Sequence, residues 1–168
     1  MKKITVGLIQ MHATASPKEN LAGAQKKVAQ AAKQGAQIIC PQELFKSPYF
    51  PQSKNKKYFE LAEIIPGPIT DVFCALAKQL KIVVIVPVFE KTEEGTYYNT
   101  AVVIDADGEM LGTYRKTHLP NDPYFYEQFY FSPGPPNSAA RPVDKALLGR
   151  TSLRFVAGQR DGWPAKNV

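Results

Sequence analysis

Three short stretches place ionisable side chains where strand-like sequence gives way to loops. "PQELF" offers Glu43, "YRKTHLP" offers Lys116, and "DPYFYEQFYF" offers Glu127 in an aromatic setting. A carboxylate can take and return a proton, and a fixed ammonium can stabilise a developing oxyanion. Taken singly, each has a plainer explanation: Glu43 as a surface or helix-terminus carboxylate, Lys116 as a solvated lysine, Glu127 as a loop charge. His118 stands two residues from Lys116, on the same strand face if the strand continues. A structural role is preferred for it over a substrate contact. Asp122 and Glu127 could together attract a cationic amine, on charge and loop position alone.

Cys40, Cys74, His12 and His118 show neither metal-ligand spacing nor a disulfide framework. The expectation is therefore no metal, no structural bridge and no cofactor.

The elements that must position these residues follow from periodicity. "ITVGLIQM" reads as a strand. Ser16, Pro17 and Glu19 supply a helix cap, a first-turn proline and a capping-box glutamate, and Leu21, Ala24, Val28, Ala31 and Ala32 recur at helical spacing up to Gly35. "AQIIC" is a short buried strand running into Pro41, which puts Glu43 at a strand end. Residues 45–68 read as irregular, with a short helix inside the lysine-rich "SKNKKYFELAE". Thr70 or Asp71 begins a second helix whose apolar face is Phe73, Leu76, Ala77 and Leu80, with Cys74 as a core residue. "IVVIVPVFE" is apolar enough for a sheet covered on both faces. "YYNTAVVID" and "MLGTYRK" form a hairpin around Asp107-Gly108. The order β-α-β-α-β-β-β implies an α/β sandwich with a mixed sheet, and in such sheets sites assemble in the loops at strand ends.

With 168 residues, 44% of them hydrophobic, the chain can fill one domain. The amino-terminal stretch alternates like a strand rather than forming a signal peptide's apolar block, and no run approaches the ~20 residues of a membrane span. A cytoplasmic location without membrane contact is expected. The formal charge of +6 is unevenly placed: residues 1–134 hold 15 basic and 13 acidic side chains, whereas residues 135–168 hold six and two. Basicity confined to a tail argues for a solvated end rather than a nucleic-acid interface.

The combination of "PQELF", "DADGEMLGTYRKTHLP" and "YEQFYFSPG" resembles the nitrilase family of carbon-nitrogen hydrolases across residues 1–134. "HLPNDPYFYEQFYFSPG" is similar to its branch that hydrolyses N-carbamoylputrescine. The resemblance implies a four-layer α-β-β-α sandwich, of which these residues would form the N-terminal half, and a small amine or ureido substrate. It implies a site joining a glutamate, a lysine and a cysteine. By motif position Glu43 and Lys116 are the first two, and Glu127 matches the second glutamate beside them. A cysteine thiolate would attack the carbamoyl carbon, Glu43 would accept the thiol proton and later activate water, and Lys116 would stabilise the oxyanion.

The cysteine is missing at its expected place, roughly 35–40 residues beyond Lys116. "GRTSLRFVAGQRDGW" stands there, and after Gly134 arginine replaces lysine as the main basic residue. Three explanations are open: a change of reading frame after Gly134, a shortened paralogue that pairs with a full-length subunit, or an active protein with a displaced nucleophile. Cys40 and Cys74 are poor substitutes, Cys40 because its strand position should turn it to the face opposite Glu43. The chain is therefore expected to be inactive alone, with an open sheet face that favours a homo-oligomer or a partner subunit.

Overall fold

A computed structural model describes residues 3–135. The readings placed on residues 136–168 lie outside the described residues. Five strands form one mixed sheet in sequential order: β1 (Val6–Ile9), β2 (Ile38–Pro41), β3 (Val83–Lys91), β4 (Tyr97–Ile104) and β5 (Met110–Arg115). β1, β2 and β3 are parallel, joined by the crossover helices α1 (Pro17–Lys33) and α2 (Pro68–Leu80), and β4 and β5 complete an antiparallel meander. Both crossovers advance the sheet in the same direction, so both helices lie on one face. This is the expected mixed α/β architecture, with one five-stranded sheet and one helical layer as its body among the described residues.

The core lies between sheet and helices. Ala24 and Val28 of α1 and Ile69, Phe73 and Ala77 of α2 meet Ile39, Val84, Val86, Val88, Val102 and Ile104. Phe73, fully buried, stands edge-on to Phe45 with ring centroids 5.8 Å apart. Burying a side chain of that size stabilises the fold by roughly 1.5–3 kcal/mol.

The opposite sheet face is covered unevenly. An aromatic cluster of Leu44, Phe50, Phe89, Tyr130 and Phe131 closes one end. On β1, Val6 and Leu8 remain 57% and 80% exposed. The near-continuous apolar sequence of β3 pointed to cover on both faces; among the described residues that cover is complete only on the helical side.

Local chemistry departs from the sequence reading in three places. At α1 the Ser16 hydroxyl accepts from the Glu19 amide at 3.3 Å, as a cap should, but the Glu19 carboxylate accepts from the Thr14 hydroxyl instead of closing the capping box. The second helix begins at Pro68, earlier than Thr70 or Asp71. Gly67 is its cap, and Thr70 turns back so that its hydroxyl accepts from the Gly67 amide at 2.8 Å. Beyond β5 the chain leaves strand geometry at Arg115, then forms a minimal hairpin, β6 (Asn121–Asp122) and β7 (Phe125–Tyr126), and a single helical turn, α3 (Glu127–Tyr130).

Candidate active site

Glu43 follows β2 in a tight, well-anchored turn. The Gln42 side chain accepts from the Met11 amide, and the buried Asn20 of α1 donates to the Lys46 carbonyl at 2.9 Å. Leu44 adopts a left-handed conformation with φ of 51° while its side chain is buried in the aromatic cluster. Such a backbone costs roughly 1–3 kcal/mol in a residue with a Cβ, so packing must hold it there. Its effect is a sharp change of direction directly after Glu43.

Lys116 stands one residue beyond β5, with its backbone fixed on both sides. Its amide donates to the Asn99 carbonyl at 2.8 Å, and its carbonyl accepts from the Gly134 amide at 2.9 Å. The preceding residue, Arg115, grips the buried Glu90 with two guanidinium hydrogen bonds and stacks 4.1 Å from the Tyr98 ring centre. Arg115 pairs with Thr100, so the clamp lies on that sheet face, whereas the Lys116 ammonium meets Glu43, which Asn99 contacts from the opposite face. Gly134 approaches so closely that a Cβ there would lie 2.2 Å from the Arg115 carbonyl oxygen.

Glu127 opens α3 and is only 2% exposed. Its Oε1 accepts from the Tyr49 hydroxyl at 2.8 Å and from the Lys116 ammonium at 3.0 Å, while Oε2 lies 2.8 Å from the same ammonium without an aligned donor. On the other side Lys116 donates to Glu43 Oε1 at 3.0 Å. The three residues chosen from the sequence thus form one cluster, with one ammonium between two carboxylates and a formal charge of −1.

Desolvation pulls the Lys116 pKa down, but hydrogen bonds and charge from Glu127 and Glu43 outweigh it and raise the pKa above its ordinary value. The lysine is a cation at neutral pH. Burial, the Glu127 hydrogen bond and the charges of Glu127 and Glu43 push Tyr49 well above the usual phenol range, so it serves as a hydrogen-bond donor. The arrangement supplies a half-exposed carboxylate able to exchange protons and, 3.0 Å away, a fixed positive charge able to stabilise an oxyanion.

His118 and Asp122 do not join the cluster. Both are exposed, and neither side chain forms a hydrogen bond among the described residues. β5 ends before His118, so the face-sharing argument that brought it near Lys116 does not apply. Two residues were missed. Asn99 in β4 donates through its side chain to Glu43 Oε1, and Tyr49 holds Glu127. Asparagine inside an apolar strand was a readable signal, since it is depleted there and needs a partner when buried. Tyr49 lay in a loop with no periodicity to mark it.

The cysteines stand apart. Cys40 shares its sheet face with Ile38 and Val83, the face that also carries Phe89 and Asn99. The expectation that strand alternation would turn it from Glu43 fails, because the chain leaves β2 at Pro41. Even so, its thiol donates only to the Pro41 carbonyl, at 3.3 Å, and burial raises its pKa. Cys74 is partly buried against the helical core rather than fully inside it. Among the described residues no group of His, Cys, Asp and Glu is placed to hold a metal ion.

The carbon-nitrogen hydrolase profile matches residues 5–159. The chain belongs to the carbon-nitrogen hydrolase family. Similar hydrolases include an N-carbamoylputrescine amidase of Oryza sativa subsp. japonica, 38% identical over 148 residues, covering 88% of this chain and 49% of the relative. A citrullinase of Francisella tularensis is 41% identical over 135 residues, covering 80% and 47%. Among solved structures, a carbon-nitrogen hydrolase from Helicobacter pylori G27 matches with a TM-score of 0.74 and 39% identity, over 79% of this chain and 46% of that one. The chain spans about half the length of the curated relatives it matches. The hydrolase profile extends beyond Gly134, where the sequence reading places its boundary. No helix among the described residues is long and apolar enough to cross a membrane.

Proposed function

We propose that Glu43, Lys116 and Glu127 are the proton-transfer and oxyanion portion of a hydrolase site for a linear ureido or amide bond, most like that of N-carbamoylputrescine amidase. The observation that carries this reading is the single ammonium of Lys116, just beyond β5, hydrogen-bonded to Glu43 after β2 and to Glu127 at the start of α3. Glu43 accepts a proton from the attacking thiol and returns it to the departing amine or ammonia, then deprotonates the water that cleaves the thioester. Lys116 stabilises the oxyanion in both halves of the reaction. Glu127, braced by Tyr49, fixes the ammonium. Relatives named for N-carbamoylputrescine and citrulline both point to a carbamoylated amine. The cluster's net negative charge suits a substrate with a cationic end, and polyamine formation in the cytoplasm is the setting we infer.

The family chemistry needs a thiol, and neither cysteine contacts the cluster. This chain alone is therefore expected not to turn over N-carbamoylputrescine. Joining residues 1–134 to the C-terminal half of the rice relative should give turnover that Glu43→Gln abolishes; a folded fusion unaffected by that change would refute the role of Glu43. Turnover by the unaltered chain that disappears in Cys40→Ala would identify Cys40 as nucleophile and overturn the inactivity.

The exposed Val6 and Leu8 favour a second reading, an interaction subunit whose open face meets another chain. That reading expects association in sedimentation, weakened by Leu8→Ser, and a monodisperse monomer would remove it.

A further inference from the structure

Asn99 is 6% exposed and occupies a position in β4 where its register partner across the sheet is Phe89. Nothing in the packing of an apolar strand calls for an amide there. Its two ends touch two different members of the cluster: the side-chain nitrogen donates to Glu43 Oε1, and the backbone carbonyl accepts from the Lys116 amide. The assignment of donor follows from chemistry, because the flipped amide would set its oxygen against a carboxylate oxygen. Lys116 donates to the same Oε1, whereas Oε2 of Glu43 forms no hydrogen bond among the described residues.

We propose that Asn99 is a positioning residue for Glu43: with Lys116 it fixes Oε1, so that Oε2 is the oxygen presented to the reacting thiol or water. This rests on the reading of Glu43 as proton acceptor. Two donors on one oxygen orient the carboxylate plane and leave the other oxygen free. A single ammonium, on a long flexible stem, would not. Asn99 also ties Glu43 and Lys116 to one residue of a central strand, so their separation is set by the sheet rather than by the loops that carry them.

The test uses the unaltered chain, labelled with ¹³C and ¹⁵N. A scalar coupling across the hydrogen bond, from the Asn99 side-chain nitrogen to the Glu43 carboxylate carbon, is expected. The Asn99 amide proton should move upfield in Glu43→Ala. Asn99→Asp keeps the shape but removes the donor, and Asn99→Leu removes polarity; in both, the Glu43 side chain should become mobile while the core methyl groups stay ordered. Absence of the coupling, or a Glu43 side chain equally ordered in Asn99→Asp, would overturn the proposal. These signals do not depend on turnover, so an inactive fusion would count against the functional reading alone, and a missing Asn99 signal against this one alone. Should Asn99→Leu fail to fold, the coupling in the unaltered chain still decides.

Discussion

Glu127 faces the Lys116 ammonium with both oxygens, at 3.0 and 2.8 Å, while almost entirely removed from solvent. A carboxylate so buried depends on that cation. Lys116→Met should leave the buried Glu127 without its cation, and cost about 2–3 kcal/mol in urea unfolding. This is less than the roughly 3–5 kcal/mol of a fully buried pair, because about a third of the lysine side chain meets water. Glu127→Gln, which keeps the Tyr49 contact, should cost less; equal losses would mean that shape rather than charge is at stake.

The same ammonium makes stability depend on alkaline pH. Its folded pKa is raised, so its contribution is fully present below the ordinary lysine value and is lost as pH rises through the higher folded value. Urea midpoints measured from pH 9 upward should fall more steeply for the unaltered chain than for Lys116→Met. Parallel curves would show that Lys116 is not the group responsible.

Much of this was legible in the sequence because periodicity records burial. The helical spacing from Leu21 to Ala32, the apolar run of β3 and the Asp107-Gly108 turn each report a local rule that the tertiary structure obeys. Glu43, Lys116 and Glu127 were readable because strand ends are where such groups gather. Tyr49 and the Asn20 strut to Lys46 were not, since each depends on a contact between segments far apart in sequence, with no pattern along the chain to mark it. His118 and Asp122 stand outside the cluster among the described residues. The argument that set His118 beside Lys116 assumed strand geometry after Arg115, where the strand had already ended, and Asp122 was chosen on charge and loop position alone.

Cys40 offers a check on the missing nucleophile. Burial raises its pKa, so the thiolate is scarcer than in an ordinary thiol. Iodoacetamide at neutral pH should modify it at least tenfold more slowly in the folded chain than in urea, on the order expected when thiolate fraction and access both fall. Rapid alkylation of the folded protein, followed by mass spectrometry, would show instead an activated thiol and strengthen the case for Cys40 as a reacting group.

Gly134 should tolerate no side chain. The Cβ of Gly134→Ala would press on the backbone oxygen of Arg115, and backbone cannot swing aside as a flexible side chain can. Overpacking of this kind costs typically 1–3 kcal/mol. Amide exchange at Gly134, which donates to the Lys116 carbonyl, should accelerate in this variant beyond what the global loss explains. Unchanged protection would place the glycine outside the constraint described.

That close approach sets a distance as well as a shape. Because the Gly134 amide is hydrogen-bonded to the Lys116 carbonyl, the chain passes the backbone of the residue that bears the ammonium. A reactive group grafted there on a linker long enough to reach the ammonium would act as a tethered reagent, at an effective concentration of roughly millimolar rather than that of a free solute. Gly134 is therefore the natural point from which to rebuild catalysis on this scaffold, with linker length as the variable to scan.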